Sequence, residues 1–187
     1  MGVRADAAAQ THRKILEAAI RLFGERRYDE VSLADVARSA GVTVQTVLRR
    51  FGSKEGLTEE ATALGVEEVR RERWATSESD VASAVGGLVT HYEAWGERSL
   101  HFLAQEQRIP AMKRVTDAGR TLHHAWVDHA FGRWLTQCRG AAARARLRAR
   151  LIATTDVYVW KILRRDLGMD PATTALTLRE LLSANLN

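Results

Sequence analysis

The sequence predicts an all-α protein: an N-terminal three-helix helix-turn-helix domain followed by a larger C-terminal helical domain. Three observations carry this. Ala, Leu, Arg and Glu dominate, and all are good helix formers. Only 2 Pro and 13 Gly are present, too few for a β protein built on tight turns. Apolar residues recur at spacings of three and four, and beyond residue 54 none alternate as a strand requires.

Residues 1–10 are small, polar and aperiodic, so an unstructured arm is expected there. From Thr11, a residue able to cap, Ile15, Leu16, Ala19, Leu22 and Phe23 mark one face of a first helix. Ser32 starts a second. With Asp35 three residues on it makes a capping-box pair, and Gly41 stops the helix. Thr43 caps a third through Val44, Val47, Leu48 and Phe51, ended by Gly52. Ser53 caps the next. Further helices are expected at 54–74, 80–98, 99–107, 110–138, 141–167 and 171–185. A polar break falls at 76–80, and Gly168-Met169-Asp170-Pro171 forms a helix junction. The domain boundary is expected between residues 53 and 54.

At 187 residues, core size is not limiting. The 45% hydrophobic and 27% charged composition is globular, not disordered or fibrous. A net charge of +5 permits a polyanionic partner without demanding one. The single cysteine, Cys138, excludes an internal disulfide framework and a Cys-rich zinc site. No apolar run reaches a membrane span, and the N-terminus lacks a signal-peptide core. A soluble cytoplasmic protein with no membrane partner is expected.

Within 33–51, Ala37, Gly41 four residues on and Val47 six beyond fit a helix-turn-helix. The small Ala37 lets the second helix cross closely, Gly41 allows the turn, and Val47 locks the two helices together. That geometry projects the start of the second helix into a DNA major groove. The spacing alone is shared by ordinary bundle corners. Its surroundings add specificity: Arg13-Lys14-Ile15-Leu16-Glu17-Ala18-Ala19, Leu22-Phe23, Val31-Ser32-Leu33, Val36-Ala37, Ala40-Gly41-Val42-Thr43 and Phe51-Gly52-Ser53-Lys54-Glu55-Gly56-Leu57. Together these resemble the N-terminal domain of the TetR family of transcriptional repressors, closely over residues 11–57. The resemblance implies an all-α homodimer in which residues 1–53 bind DNA and 54–187 bind an effector and dimerise. One departure stands out. The family usually carries a Tyr, one further residue and a His or Tyr before the Phe. Here Val47-Leu48-Arg49-Arg50 precedes Phe51, so Leu48 replaces a phosphate-binding hydroxyl.

The expected DNA-binding residues are Thr43, Val44, Gln45, Thr46, Arg49, Arg50 and Lys54. Residues at the start of a recognition helix reach base edges first. Gln45 can grip adenine, Val44 can pack on a thymine methyl, and Arg49 can read guanine or hold a phosphate. Lys54, at a helix start, suits a phosphate.

Tyr92, Trp95, Phe102, Trp126 and Tyr158 are the expected lining of an effector pocket, the alternative for each being an ordinary core position. The six histidines show no chelating spacing, so no metal and no cofactor are expected. No nucleophile elbow or phosphate loop is present, so no enzyme is expected. Leu147, Leu151, Thr154, Tyr158 and Ile162, with Leu178, Leu181, Leu182 and Leu186, make two stripes suited to a two-fold four-helix interface or to packing within one subunit. The expected function is a transcriptional regulator, a repressor, that binds a near-palindromic double-stranded DNA operator as a homodimer and is released by a small-molecule effector. The rival is a helical small-molecule-binding or interaction protein that no longer binds DNA.

Overall fold

A computed structural model describes residues 2–75 and 80–186. All regular structure among them is helical: α1 Gly2–Glu25, a 3₁₀ turn Tyr28–Glu30, α2 Leu33–Ala40, α3 Val44–Phe51, α4 Lys54–Trp74, α5 Val81–Leu103, α6 Pro110–Ala130, α7 Gly132–Gln137, α8 Ala141–Thr154, α9 Val157–Lys161, a π-helical turn Ile162–Asp166, and α10 Pro171–Leu186. No helix among the described residues is long and apolar enough to cross a membrane. The polar break expected at 76–80 lies outside the described residues except for Asp80.

The caps follow the side-chain chemistry. Ser32 and Asp35 form the reciprocal capping box of α2, and Gly41 closes it at φ 68°, a left-handed conformation open to glycine without strain. Thr43 accepts from the Thr46 amide at 3.2 Å. Ser53 accepts from the Gly56 amide at 3.0 Å. Asp170 accepts from the Thr173 amide at 2.9 Å and opens α10.

Five expectations are corrected. The N-terminal arm is helical from Gly2, because Ala5, Ala7, Ala8 and Ala9 favour the helix. Thr11 then lies inside α1 and donates to the Ala7 carbonyl at 2.8 Å instead of capping. The two helices expected over 80–107 are the single α5; Ser99 donates back to the Trp95 carbonyl at 3.0 Å and stays inside it. The helix expected over 110–138 breaks at Phe131, whose φ of −115° is not helical. The helix expected over 141–167 breaks at Asp156, whose carboxylate caps the Tyr158 amide at 2.9 Å. An Asp carboxylate competes in this way with continuing helix.

The chain forms two compact units. The first is residues up to 67 with 101–118; the second is 68–100 with 119–187. In the first, Ile15, Ala19 and Phe23 of α1 pack in one cluster with Val31, Val36, Ala37, Val47, Phe51, Leu57 and Met112. Burying each large side chain contributes about 1.5–3 kcal/mol. In the second, the fully buried side chains include Leu88, Trp126, Phe131, Leu151, Trp160, Leu178 and Leu182.

Candidate nucleic-acid interface

The turn between α2 and α3 places the second helix. The Val42 amide donates to the Ala37 carbonyl at 2.9 Å, tightening the corner. Val36, Ala37 and Val47 are buried beneath it. With Val47 and Phe51 inward, the other faces of α3 point out. Thr43, Val44, Gln45, Leu48 and Arg49 are exposed, and Thr46 and Arg50 are half-buried. Val44 and Leu48 are each 37% exposed although apolar, and stand one turn apart. Gln45 and Arg49 are also one turn apart. The helix thus presents an apolar pair beside an amide and a guanidinium. Groups of these kinds are able to meet thymine methyls, adenine and guanine. Thr43 and Thr46 are tied together, their hydroxyls 2.9 Å apart.

Lys54 sits differently from the expectation of a free phosphate ligand. Its ammonium donates to the Tyr28 carbonyl and lies 3.9 Å from the centre of the Tyr28 ring. Burial lowers its pKa. The same turn is held from other sides. The Tyr28 amide donates to Gln105 Oε1 at 2.9 Å, and the Thr58 hydroxyl lies 3.3 Å from the Tyr28 hydroxyl. His101 Nε2 lies 2.9 Å from the Arg26 carbonyl. Gly56 has a reason to be glycine: a Cβ there would clash with the Phe51 carbonyl oxygen.

Of the five expected pocket aromatics, Phe102 belongs to the first unit and the other four to the second. Phe102 packs on the core of the first unit. Tyr158 is 51% exposed. Trp95 is half-buried, with the Arg98 guanidinium 5.0 Å from its ring. Tyr92 and Trp126 are buried in the second unit, in a polar cluster the sequence reading missed. There the Arg73 guanidinium lies 4.0 Å over the Trp126 ring, and its Nη2 is 3.3 Å from His123 Nδ1. His123 stacks on Trp126 at 5.9 Å, and His91 meets Tyr92 at 5.2 Å. The Tyr92 hydroxyl donates to the Thr155 carbonyl at 2.9 Å. No local signal could have found Arg73, since Arg70-Arg71-Glu72-Arg73 reads as a solvated face.

Burial, then the charge of Arg73, pushes both His91 and His123 down to about 3. The groups facing them are Arg73, each other and, for His123, His124 and the Ile152 carbonyl. The unfolded chain takes these protons near pH 6.5 and the folded chain near 3, so acid favours unfolding between those values. Stability is present above pH 6.5 and is lost as pH falls towards 3, by about 1.4 kcal/mol per pH unit for each histidine. Urea midpoints at pH 7 and pH 5 will show the loss, and His91→Gln with His123→Gln will flatten it. A midpoint unchanged between these pH values would mean that both rings are open to water.

Fold and surface together define a helix-turn-helix with an exposed second helix in the first unit, beside a second helical unit. Residues 15–61 match the family described as bacterial regulatory proteins, tetR family. A stretch of 69 residues is 39% identical to the HTH-type transcriptional regulatory protein RaaS of Mycobacterium tuberculosis; it is 37% of this chain and spans 32% of that relative's length. Solved structures share the fold over nearly the whole chain. A transcriptional regulator from Rhodococcus sp. RHA1 is similar with TM-score 0.70 at 16% identity, covering 94% of this chain and 95% of that one. Salmonella enterica GusR is similar with TM-score 0.69 at 20% identity, covering 94% and 95%. A transcriptional regulator from Saccharomonospora viridis, solved in complex with choline, is similar with TM-score 0.67 at 20% identity, covering 95% and 97%. The family match thus lies in the N-terminal helices, and the likeness over the rest of the chain is one of fold.

Proposed function

We propose that the protein is a transcriptional repressor that binds a near-palindromic operator as a homodimer and releases it when a small molecule binds the second unit. The exposed Val44–Gln45–Leu48–Arg49 face of α3 carries this reading. In it, residues 1–53 read DNA and 54–187 take the effector and the second copy. Thr43 and Thr46 fix the start of the reading helix, and Arg50 flanks it. Lys54 holds the Tyr28 turn beneath the start of α4, so its part in DNA binding runs through that support. The choline in the Saccharomonospora structure supports a ligand role for this fold. A gel shift against DNA upstream of the protein's own and neighbouring genes tests the reading. A discrete complex that resists non-specific competitor supports it. No complex at any of these sites favours the rival, a protein without DNA function, which the loss of the family's usual Tyr at Leu48 would fit.

The second copy has a surface to meet. Of the two C-terminal stripes, Leu147, Leu151, Leu178 and Leu182 are buried within the chain, whereas Tyr158, Ile162 and Leu181 are exposed. Leu167 and Leu176 are exposed as well. Large apolar side chains left in water on neighbouring elements suit a partner. Leu181, 44% exposed, can be changed without touching the core. Leu181→Arg is expected to give a folded monomer by sedimentation and a lost operator complex, because a buried charge lacks a partner in the interface. A mutant that stays dimeric at micromolar concentration places the interface elsewhere. Two heads on one dimer would read half-sites about 34–36 Å apart.

A further inference from the structure

Arginine is crowded on α8. Arg144, Arg146, Arg148 and Arg150 stand within Ala141–Thr154, and that helix carries no acid. Arg148 is answered from α6, where Asp128 accepts from its Nε at 2.6 Å. Arg146 and Arg150 have no hydrogen bond or ion pair among the described residues. They are one turn apart, so their side chains leave the same face of the helix. A solvated helix face would need no more than that. These two, however, line a groove of about 590 Å³ formed by α7, α8 and the end of α10. Trp134, Leu147 and Leu186 supply its apolar walls, and Cys138 lies among them. None of the residues lining the groove is acidic. The volume falls within the range of about 300–1,000 Å³ typical of small-molecule sites.

We propose that this groove binds a small soluble phosphate monoester with an aryl or alkyl body. The proposal goes beyond the repressor reading, since it requires neither operator nor release. Arg146 and Arg150 present two donor forks from adjacent turns. A phosphate monoester carries a charge of about −1.5 to −2 at pH 7 and three acceptor oxygens, enough for both forks. A carboxylate has one charge and two oxygens, and is filled by a single fork. Both arginines are exposed, so the phosphate keeps part of its hydration and the double charge meets no dry site. The Arg133 guanidinium, 3.9 Å from the centre of the Trp134 ring, adds positive charge beside the apolar wall. The body of the ligand is apolar because Trp134, Leu147 and Leu186 are what it meets below the phosphate. Contact with these walls gives the ester its advantage over inorganic phosphate.

The test titrates the full chain by calorimetry with 1-naphthyl phosphate and octyl phosphate. Each is run beside its parent alcohol and the matching carboxylate, 1-naphthoate or octanoate, and beside inorganic phosphate. One of the two esters is expected to bind saturably, about tenfold or more tighter than its alcohol, its carboxylate and inorganic phosphate. Arg146→Gln with Arg150→Gln removes both charges at exposed positions. It is expected to weaken that ester about tenfold and to leave the thermal midpoint unchanged. Arg139→Gln with Arg144→Gln changes exposed arginines that do not line the groove, and is expected to leave the affinity unchanged. Cys138 is the one cysteine of the chain and lines the groove, so its alkylation by neutral iodoacetamide reports the site directly. Saturating ester is expected to slow that reaction. No ester binding, a carboxylate or inorganic phosphate binding as tightly, equal loss in both arginine pairs, or a thiol that reacts at one rate with and without ester would each overturn the proposal. If the thiol does not react in the free protein, the two arginine pairs decide alone. A dimer that Arg146→Gln with Arg150→Gln dissolves would assign the groove to a second copy and overturn the proposal likewise.

Discussion

Gly96→Ala and Trp160→Ala are each expected to destabilise the second unit strongly, and the double substitution to cost less than their sum. Trp160 is almost fully buried and lies against the α5 backbone at Gly96, where a Cβ would stand 2.5 Å from the indole ring. Its Nε1 donates to Glu93 at 3.0 Å, and the Arg165 guanidinium lies 4.7 Å from its ring. Removing the indole opens a cavity and strips Glu93 of a donor, at a cost of about 3–5 kcal/mol. In an open helix, Gly to Ala would stabilise by about 1 kcal/mol. At Gly96 the clash outweighs that gain, and overpacking of this kind costs about 1–3 kcal/mol. In the double variant the new methyl enters the space the indole has left, so coupling of about 0.5–3 kcal/mol is expected with the sign of mutual relief. Urea denaturation of the four proteins measures it. Strict additivity would mean that Trp160 does not lie on Gly96.

The second large effect is on DNA. Gln45→Ala and Arg49→Ala are each expected to weaken the preferred operator by about 1–3 kcal/mol per half-site. The proposed two-fold dimer would carry each change twice, so the loss would double. The two differ in kind. Gln45→Ala should relax base preference at one position per half-site and keep the salt dependence. Arg49→Ala should do the same if it reads guanine, but should weaken all sequences and flatten the salt slope if it holds a phosphate. Binding titrations at several salt concentrations, on the operator and on single-base variants, distinguish these. Both variants binding the operator unchanged would remove α3 from the interface.

The N-terminal fold was legible because its signals are local. Ser32 with Asp35, Gly41, Thr43 and Ser53 each fix a helix end with atoms a few residues apart, and the structure carries those bonds. The length of α1 and the breaks at Phe131 and Asp156 were not legible. The first turns on helix propensity winning over a capping residue, and the breaks on single backbone angles inside periodic sequence. The exposed face of α3 could be read from Val47 and Phe51, since fixing two buried positions on a helix fixes the rest. Lys54 could not. It looks like a basic residue at a helix start, and only the fold brings the Tyr28 carbonyl and ring to it from 26 residues away. The Arg73 cluster needs α4, α5 and α6 together, and no spacing within one helix announces it.

The grip on Tyr28 bears on how such a protein could be taken apart. The turn before α2 and α3 is held by Lys54, Thr58 and, through its amide, by Gln105, while Met112 fills the same core. A fragment ending at residue 53 would carry every side chain proposed to read bases and yet leave the Tyr28 amide without its acceptor and the core open where Met112 stood. Swapping heads between relatives by a cut at that point would therefore yield chimaeras that misfold or bind weakly. A working graft has to carry 101–118 along with residues up to 67, so inheritance of operator preference is tied to a segment far downstream in the gene.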